Sequence, residues 1–334
     1  MKLKRLTALL LSVMLVLSLA ACGGGKDAKD DSADGDLSGK EIIIGNITPV
    51  TGAQAAYGLA ITNSIQMAID EINADGGILG ATVKLSTKDD QGTPAEAVSG
   101  FNSLLSEGAA AIIGATLSSC TSAITSLADD EGIVLVTPSS TADSITTTDD
   151  YVFRSCFKDS FQGEMVAAYA KDQGWTKAAV LYATGDTYSS GLHDSFVKAA
   201  EKYGIEIVCE QSSSDTGAVD FSSQLATIAA SGADMLFAPY YYDAVGPKII
   251  PQAREAGFKG AIMGCDGFDG TQDYTTGDLS AYENVYFTNH YSPEDSSEIV
   301  QSYVKNYTEK YGSESMNALG ALAYDAMYCL LYTS

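Results

Sequence analysis

Residues 41–90 read EIIIGNITPVTGAQAAYGLAITNSIQMAIDEINADGGILGATVKLSTKDD. The stretch opens on a β-rich run, 41–47. From Tyr57 to Asn73 the apolar residues Ile61, Ile65, Ala68, Ile69 and Ile72 recur at helical spacing, so one face of a helix is buried. Glycines 76, 77 and 80 stop that helix, and a second β-rich run follows at 82–87. Strand, helix and strand in about this length make a parallel unit with a crossover helix.

The alternation continues outward. A helix is expected at 94–107, with Thr93 at its N-cap and Pro94 at its first position. Strands at 109–113 and 133–136 flank a helix at 118–130. After a break near 146–159 the series resumes with helices at 160–173, 188–203, 221–230 and 244–256. Strands are expected at 178–182, 205–209, 235–238, 261–263 and 285–288, and helices at 297–311 and 316–330 close the chain. This order predicts an α/β fold of two Rossmann-like lobes with parallel sheets. The chain stops inside its last helical pattern, which reads as truncation of the first lobe, with a non-native end after about residue 328.

The N-terminus carries an address. Lys2, Lys4 and Arg5 precede an uncharged apolar run, 6–19, and the small residues Ala20 and Ala21. Cys22 follows directly, so residues 1–21 resemble a bacterial lipoprotein signal cleaved before a lipidated Cys22. The alternative is a spanning anchor, but the run is shorter than the roughly 20 residues a transmembrane helix needs. Residues 22–40 hold no aromatic or β-branched residue and read as a flexible acidic linker. The expected location is the extracytoplasmic face of the cell membrane, held there by lipid.

The 334 residues carry a formal net charge of −24, which excludes a nucleic-acid partner. Five cysteines remain after Cys22: Cys120, Cys156, Cys209, Cys265 and Cys329. They have no CxxC spacing and only His193 and His290 for company, so no metal site is expected. Their pairing is open, with buried free thiols as the default. Phosphate loops, nucleophile elbows and zinc-protease motifs are missing from the sequence. No catalytic residue and no cofactor is expected. Both histidines are expected at surface or cap positions, outside the cleft.

Ligands of open parallel sheets bind beyond the carboxyl ends of the strands. Two such ends carry hydroxyl clusters: Thr116 to Thr121, with Ser118 and Ser119, and Thr137 to Thr141, with Ser139. Serines at a helix start suit a carboxylate, or serve only as N-caps. In the second half the strand ends carry Asp186 with Tyr188, the run Tyr240-Tyr241-Tyr242, and Asp266 between Cys265 and Gly267. Tyrosines offer a broad apolar face with a polar tip.

In this order the motifs resemble type I periplasmic substrate-binding proteins of the branched-chain amino acid class, which serve ABC importers. The matching pieces are 47–52 (ITPVTG) with Tyr57-Gly58, 73–80 (NADGGILG), Asp89-Asp90, Ile113-Gly114 with Ser118-Ser119, Thr137-Pro138, Phe153-Arg154, Tyr188, 252–257 (QAREAG) and Met263-Gly264. The resemblance implies lobe 1 at 41–158 and 290–334, lobe 2 at 159–289, and a hinge of three crossovers, the last beyond Ser334. It implies that Ser118 and neighbouring N–H groups bind the ligand carboxylate. Thr141 would contact both charged ends, the Ser139 carbonyl would accept from the ammonium, and Asp266 would pair with it. Tyr188 and Tyr241 would close from lobe 2, with Tyr57, Thr116 and Leu117 on the side-chain pocket. Departures are Thr116 and Leu117 where leucine binders carry Leu and Cys, Asp266 in place of a glutamate, and no cysteine near Gln91.

The implied function is capture of an amino acid, or a related small zwitterion, by hinge closure and its delivery to an ABC permease, by a monomer. A sensor for a membrane receptor, or a secreted α/β enzyme, are the alternatives.

Overall fold

The computed structural model describes residues 36–147 and 150–333. The signal peptide, Cys22 and most of the expected linker lie outside them. Residues 37–40, read above as the end of the linker, are tied down instead. Leu37 N–H donates to the Leu79 carbonyl at 2.8 Å, and Lys40 N–H to the Leu37 carbonyl.

Two five-stranded parallel sheets form among the described residues. The first contains β1 (Glu41–Thr48), β2 (Thr82–Asp89), β3 (Ala111–Gly114), β4 (Val134–Thr137) and β5 (Val152–Arg154), in the order β2-β1-β3-β4-β5. The second contains β6 (Lys177–Ala183), β7 (Glu206–Ser213), β8 (Met235–Phe237), β9 (Ala261–Gly264) and β10 (Val285–Phe287), in the order β10-β9-β8-β6-β7. Strand β5 was missed in the sequence because three residues hold no periodicity; it pairs with β4, Leu135 opposite Val152.

The helices are α1 (Ala55–Ala74), α2 (Pro94–Glu107), α3 (Ser118–Ser122), α4 (Thr125–Glu131), α5 (Asp159–Asp172), α6 (Thr187–Tyr203), α7 (Ser222–Ala230), α8 (Ile250–Glu255), α9 (Glu298–Tyr311) and α10 (Ala318–Thr333). Helix α1 buries Ile61, Ile65, Ala68, Ile69 and Ile72, the face its spacing predicts. They meet Ile44, Ile47, Phe101 and Ile112 in the first core, each buried aliphatic side chain contributing about 2 kcal/mol. A separate cluster around Leu181, Leu236, Ile249 and Ile262 fills one face of the second sheet.

Several boundaries moved for local reasons. Pro94 does open α2, but Thr93 makes no cap bond; its hydroxyl donates to the Asp90 carbonyl. Residues 109 and 110 lie between the end of α2 and β3 rather than in the strand. Gly108 adopts φ +79° and the Ala109 N–H returns to the Leu104 carbonyl, a Schellman closure. The expected helix at 118–130 breaks in two at Ala123 and Ile124, where tight turns send Ile124 fully into the core. The helix expected at 244–256 begins earlier, at Tyr242, and passes through a wide π-turn over Val245–Ile249. Pro247 lies in that turn and has no N–H for a regular bond.

The chain crosses from the first sheet to the second between β5 and α5. It returns between β10 and α9, and α10 then packs along α1. In each sheet the strand order reverses at one point: between β1 and β3, and between β6 and β8. Such switch points leave a crevice at the carboxyl ends of the strands. Gly114 shapes the first of them. It has φ +131°, and a Cβ there would stand 2.3 Å from the Ile47 carbonyl oxygen of β1.

Candidate functional site

The two switch points supply one chamber. From the first lobe come Tyr57 on the first turn of α1, Thr116 and Leu117 after β3, Ser118 at the start of α3, and Ser139 after β4. From the second come Tyr188 on the first turn of α6, Tyr241 after β8, and Asp266 after β9. Gly267 and Leu319 complete the wall. Two expected site residues are not on it: Ser119 is half-buried on α3, and Thr141 is fully buried two residues beyond Ser139. Leu319 escaped sequence reasoning, because one more leucine in an apolar helix carries no signal.

The chamber is closed. The Tyr57 hydroxyl crosses between lobes and donates to the Gly267 carbonyl at 2.6 Å. Tyr188 stacks on Tyr241 with ring centres 5.0 Å apart, and Tyr57 meets Tyr241 edge-on at 6.4 Å. The space left is about 10 Å³, of the order of one water. A ligand the size of an amino acid therefore enters only when the lobes part. On its other side Tyr57 faces an open cleft of about 640 Å³, shared with Tyr242, Tyr274 and Asp269. Further bonds cross between lobes at its edge: Gln54 Nε2 donates to Asp243 Oδ1 at 2.9 Å, and the Tyr242 hydroxyl donates to the Ala53 carbonyl at 2.9 Å. Tyr242 was quoted in the sequence but not singled out. Only the fold shows that Tyr240 turns into its own lobe, onto Ser213, while Tyr242 turns across the cleft.

Asp266 is the hub of a buried network. Its Oδ1 accepts from Gln162 Nε2 at 2.9 Å and from the Tyr188 hydroxyl at 3.0 Å. Its Oδ2 faces His290 Nε2 at 3.3 Å. His290 Nδ1 lies 3.4 Å from the Phe157 N–H, which can only donate, so the ring proton sits on Nε2 and points at Asp266. This corrects the expectation for His290: its side chain is 1% exposed and reaches Asp266, because it follows β10, which pairs with β9. His193 lies away from it, between Asp194 and Glu210 and stacked on Tyr182. Burial pushes the hydroxyls of Tyr57, Tyr188 and Tyr241 well above the usual range, so all three remain neutral donors.

The hydroxyl clusters divide by role. Thr121, Thr137 and Ser140 all donate to the Ala115 carbonyl, at 2.9, 2.9 and 3.1 Å, and staple the two loops together. Ser118 and Ser139 face the chamber instead. Ser118 Oγ accepts the Ala142 N–H at 3.3 Å, and the Ser139 hydroxyl donates to the Thr116 carbonyl at 2.8 Å. Helix α3 has only five residues, so any hold on a carboxylate comes from hydroxyl and local N–H groups rather than from a helix dipole.

Behind Leu117 lies Cys120. Burial raises its thiol pKa far above the usual value, the reverse of an activated nucleophile. Cys120, Cys156, Cys209 and Cys265 form no disulfide with one another, and no three metal-ligating side chains converge among the described residues. Beside Cys120, Asp90 is fully buried; its Oδ1 accepts the Gly92 N–H at 2.9 Å and its Oδ2 has no partner. Burial pushes its pKa from 3.8 to about 6. A raised carboxyl pKa favours the fold below pH 3.8, and that contribution disappears as pH rises through 6. The loss is on the order of 3 kcal/mol. Asp90→Asn keeps the acceptor for Gly92 without the charge. It is expected to melt with the unsubstituted protein near pH 4 and several degrees above it at pH 7.5 in calorimetry; equal melting at both values would contradict the assignment.

A family model described as periplasmic binding protein matches residues 41–333. The Leu/Ile/Val-binding protein homolog 3 of Brucella melitensis is 32% identical over 251 residues, covering 75% of this chain and 67% of that protein. Among solved structures, the leucine-binding protein LivK of Thermotoga maritima superposes with a TM-score of 0.80 at 32% identity, over 87% of this chain and 82% of that one. The branched-chain amino acid transporter substrate-binding protein LivJ of Streptococcus pneumoniae, in complex with isoleucine, superposes with a TM-score of 0.80 at 31% identity, over 88% and 83%. Two parallel-sheet lobes facing each other across a tyrosine-lined chamber, together with these matches, make the chain a member of the periplasmic binding protein family, type I, in its branched-chain amino acid class.

Proposed function

We propose that this protein captures an amino acid between its lobes and delivers it to an ABC permease, working as a monomer without a cofactor and without catalysis. The observation that carries the reading is a closed chamber built by both lobes, with hydroxyls on one side, a carboxylate on the other and three tyrosines between. Ser118 binds the ligand carboxylate, and the Ser139 carbonyl and Thr141 hydroxyl face the ammonium. Tyr188 and Tyr241 close over the ligand while Tyr57, Thr116 and Leu117 bound its side chain. Asp266 pairs with the ammonium and, through Gln162, Tyr188 and His290, holds the second-lobe half of the site in place. Ser119 supports α3. The division at 41–158 with 290–334 and at 159–289 makes the segments around Arg154–Asp159 and Phe287–Glu298 the hinge. The lipid on Cys22 holds the protein at the extracytoplasmic face, with the acidic linker giving reach. Relatives that carry leucine, isoleucine and valine in their names support this ligand class.

Titration calorimetry with leucine, isoleucine, valine and small polar amino acids tests the reading, with X-ray scattering on the same samples. Micromolar binding, about −8 kcal/mol, is within reach of a few charge-assisted hydrogen bonds plus burial of apolar surface. The radius of gyration should fall on saturation, as hinge closure requires. Ser118→Ala is expected to weaken binding about tenfold, the loss of one hydrogen bond to a charged group. Its melting temperature should hardly change, since the bond it loses to Ala142 is long. Turnover of any ligand would instead favour the enzyme alternative.

A further inference from the structure

We propose that Tyr242 and Asp269 are positioning residues for ligand capture: each caps a helix of the opposite lobe when the lobes meet, and together they set how long the ligand stays inside. This rests on the amino-acid reading above and adds two residues that do not line the ligand chamber.

Helix α1 begins without a cap from its own lobe. Gln54 stands at its N-cap, but the side chain makes no bond to the helix and reaches Asp243 across the cleft instead. The N–H of Ala56, in the first turn, is answered from the second lobe. It donates to the Tyr242 hydroxyl at 3.2 Å, and that hydroxyl donates in turn to the Ala53 carbonyl at 2.9 Å. Tyr242 is 1% exposed, with its ring between Tyr57, edge-on at 4.7 Å, and Tyr274 at 4.5 Å, so packing aims the hydroxyl. Helix α10 starts in a similar way. Asn317 Oδ1 accepts the Gly320 N–H at 3.1 Å, and the Ala318 N–H donates to Asp269 Oδ2 at 2.7 Å. The same Asp269 oxygen accepts from Asn289 Nδ2 at 3.0 Å.

The two helices lie side by side in the first lobe, since α10 packs along α1. Tyr242 follows β8 and Asp269 follows β9, neighbouring strands of the second sheet. One edge of the second lobe therefore caps two adjacent helices of the first. The leading N–H groups of a helix have no partner within it, and a side-chain oxygen that accepts one stabilises the helix. When the lobes part, water takes both places, so this stabilisation belongs to the closed form. Burial raises the pKa of Asp269, and the Ala318 and Asn289 donors offset that only in part, so the cap needs the oxygen rather than the charge. The ligand enters between parted lobes, before either cap forms, and leaves only after both break. Loss of a cap therefore speeds dissociation and leaves association alone.

The test is the rate at which L-leucine, L-isoleucine and L-valine bind to and leave the full chain, by rapid mixing and by chase, for Tyr242→Phe, Asp269→Ala and Asp269→Asn. Tyr242→Phe keeps both ring contacts and loses only the hydroxyl. It is expected to release ligand about tenfold faster, with association unchanged. Asp269→Ala should release it about fivefold faster. Asp269→Asn keeps an acceptor oxygen and should release at the unsubstituted rate. Release by Tyr242→Phe or Asp269→Ala within about twofold of the unsubstituted rate, or slower association in place of faster release, overturns the proposal and leaves the amino-acid reading standing. So does Asp269→Asn releasing as fast as Asp269→Ala. Melting curves show which samples are folded, and the Asp269 pair decides by itself where Tyr242→Phe does not fold. If the unsubstituted protein binds none of the three amino acids, that reading fails by itself, and X-ray scattering of the ligand-free proteins then decides. A larger radius of gyration for Tyr242→Phe and Asp269→Ala upholds the caps; an equal one overturns them.

Discussion

Asp266→Ala is expected to lower the melting temperature by roughly 10 °C at pH 7, through the loss of about 4 kcal/mol. The substitution removes an acceptor from three buried donors at once: the Gln162 amide, the Tyr188 hydroxyl and the His290 ring. Each buried donor left without a partner costs about 1–3 kcal/mol. Relief of the repulsion between Asp266 and Asp159 offsets part of this, so the sum lies below three full penalties. The damage also spreads. Gln162 accepts the Thr288 hydroxyl and the Asp266 N–H, and Tyr188 accepts the Gly267 N–H, so α5, α6 and the loop after β9 share one network. Asp266→Asn keeps one acceptor oxygen and is expected to fall in between. Differential scanning calorimetry of both variants decides: an alanine variant melting within about 2 °C of the unsubstituted protein would mean that water satisfies those donors and that the network carries no weight.

Gly58→Ala is expected to destabilise by about 2 kcal/mol, opposite to its effect in an exposed helix, where alanine is better than glycine by about 1 kcal/mol. A Cβ at Gly58 would stand 2.0 Å from the Pro49 carbonyl oxygen and 2.6 Å from its carbon. Those are backbone atoms at the end of β1, with no rotamer to move. Overpacking of this kind costs about 3 kcal/mol, which outweighs the propensity gain. Relief requires α1 to back away from β1, and Tyr57 moves with it. Its 2.6 Å bond to Gly267 lies across the lobes, so ligand closure suffers along with stability. A melt by circular dichroism with a leucine titration reads both. A Gly58→Ala protein as stable as its parent would show that the first turn of α1 does not approach β1 so closely.

Most of the fold was legible because its pattern is local. The isoleucines of α1 recur every third or fourth residue, and Gly76, Gly77 and Gly80 end the helix, so β1, α1 and β2 follow from neighbours in the chain. The errors fall where local pattern is weak or tertiary contact overrides it. Strand β5 is three residues long and exists through pairing with β4. The helix expected over 118–130 breaks so that Ile124 reaches the core. The π-turn at Val245–Ile249 answers to a proline that a moment of hydrophobicity does not register.

The site divides in the same way. The sequence by itself determined two parallel-sheet lobes, and it placed hydroxyls and tyrosines at the strand ends, since strand periodicity and chain order dictate where those ends fall. Only the tertiary structure decided which hydroxyls face the cleft, that Tyr57 locks onto Gly267, that His290 reaches Asp266, and that Tyr242 caps a helix of the opposite lobe. Each of these depends on contacts between residues far apart in the chain: Tyr57 and Gly267 are separated by 210 positions, Gln162 and Asp266 by 104. Satisfaction or abandonment of a buried polar group depends on what packs against it, and that is settled when the two lobes meet.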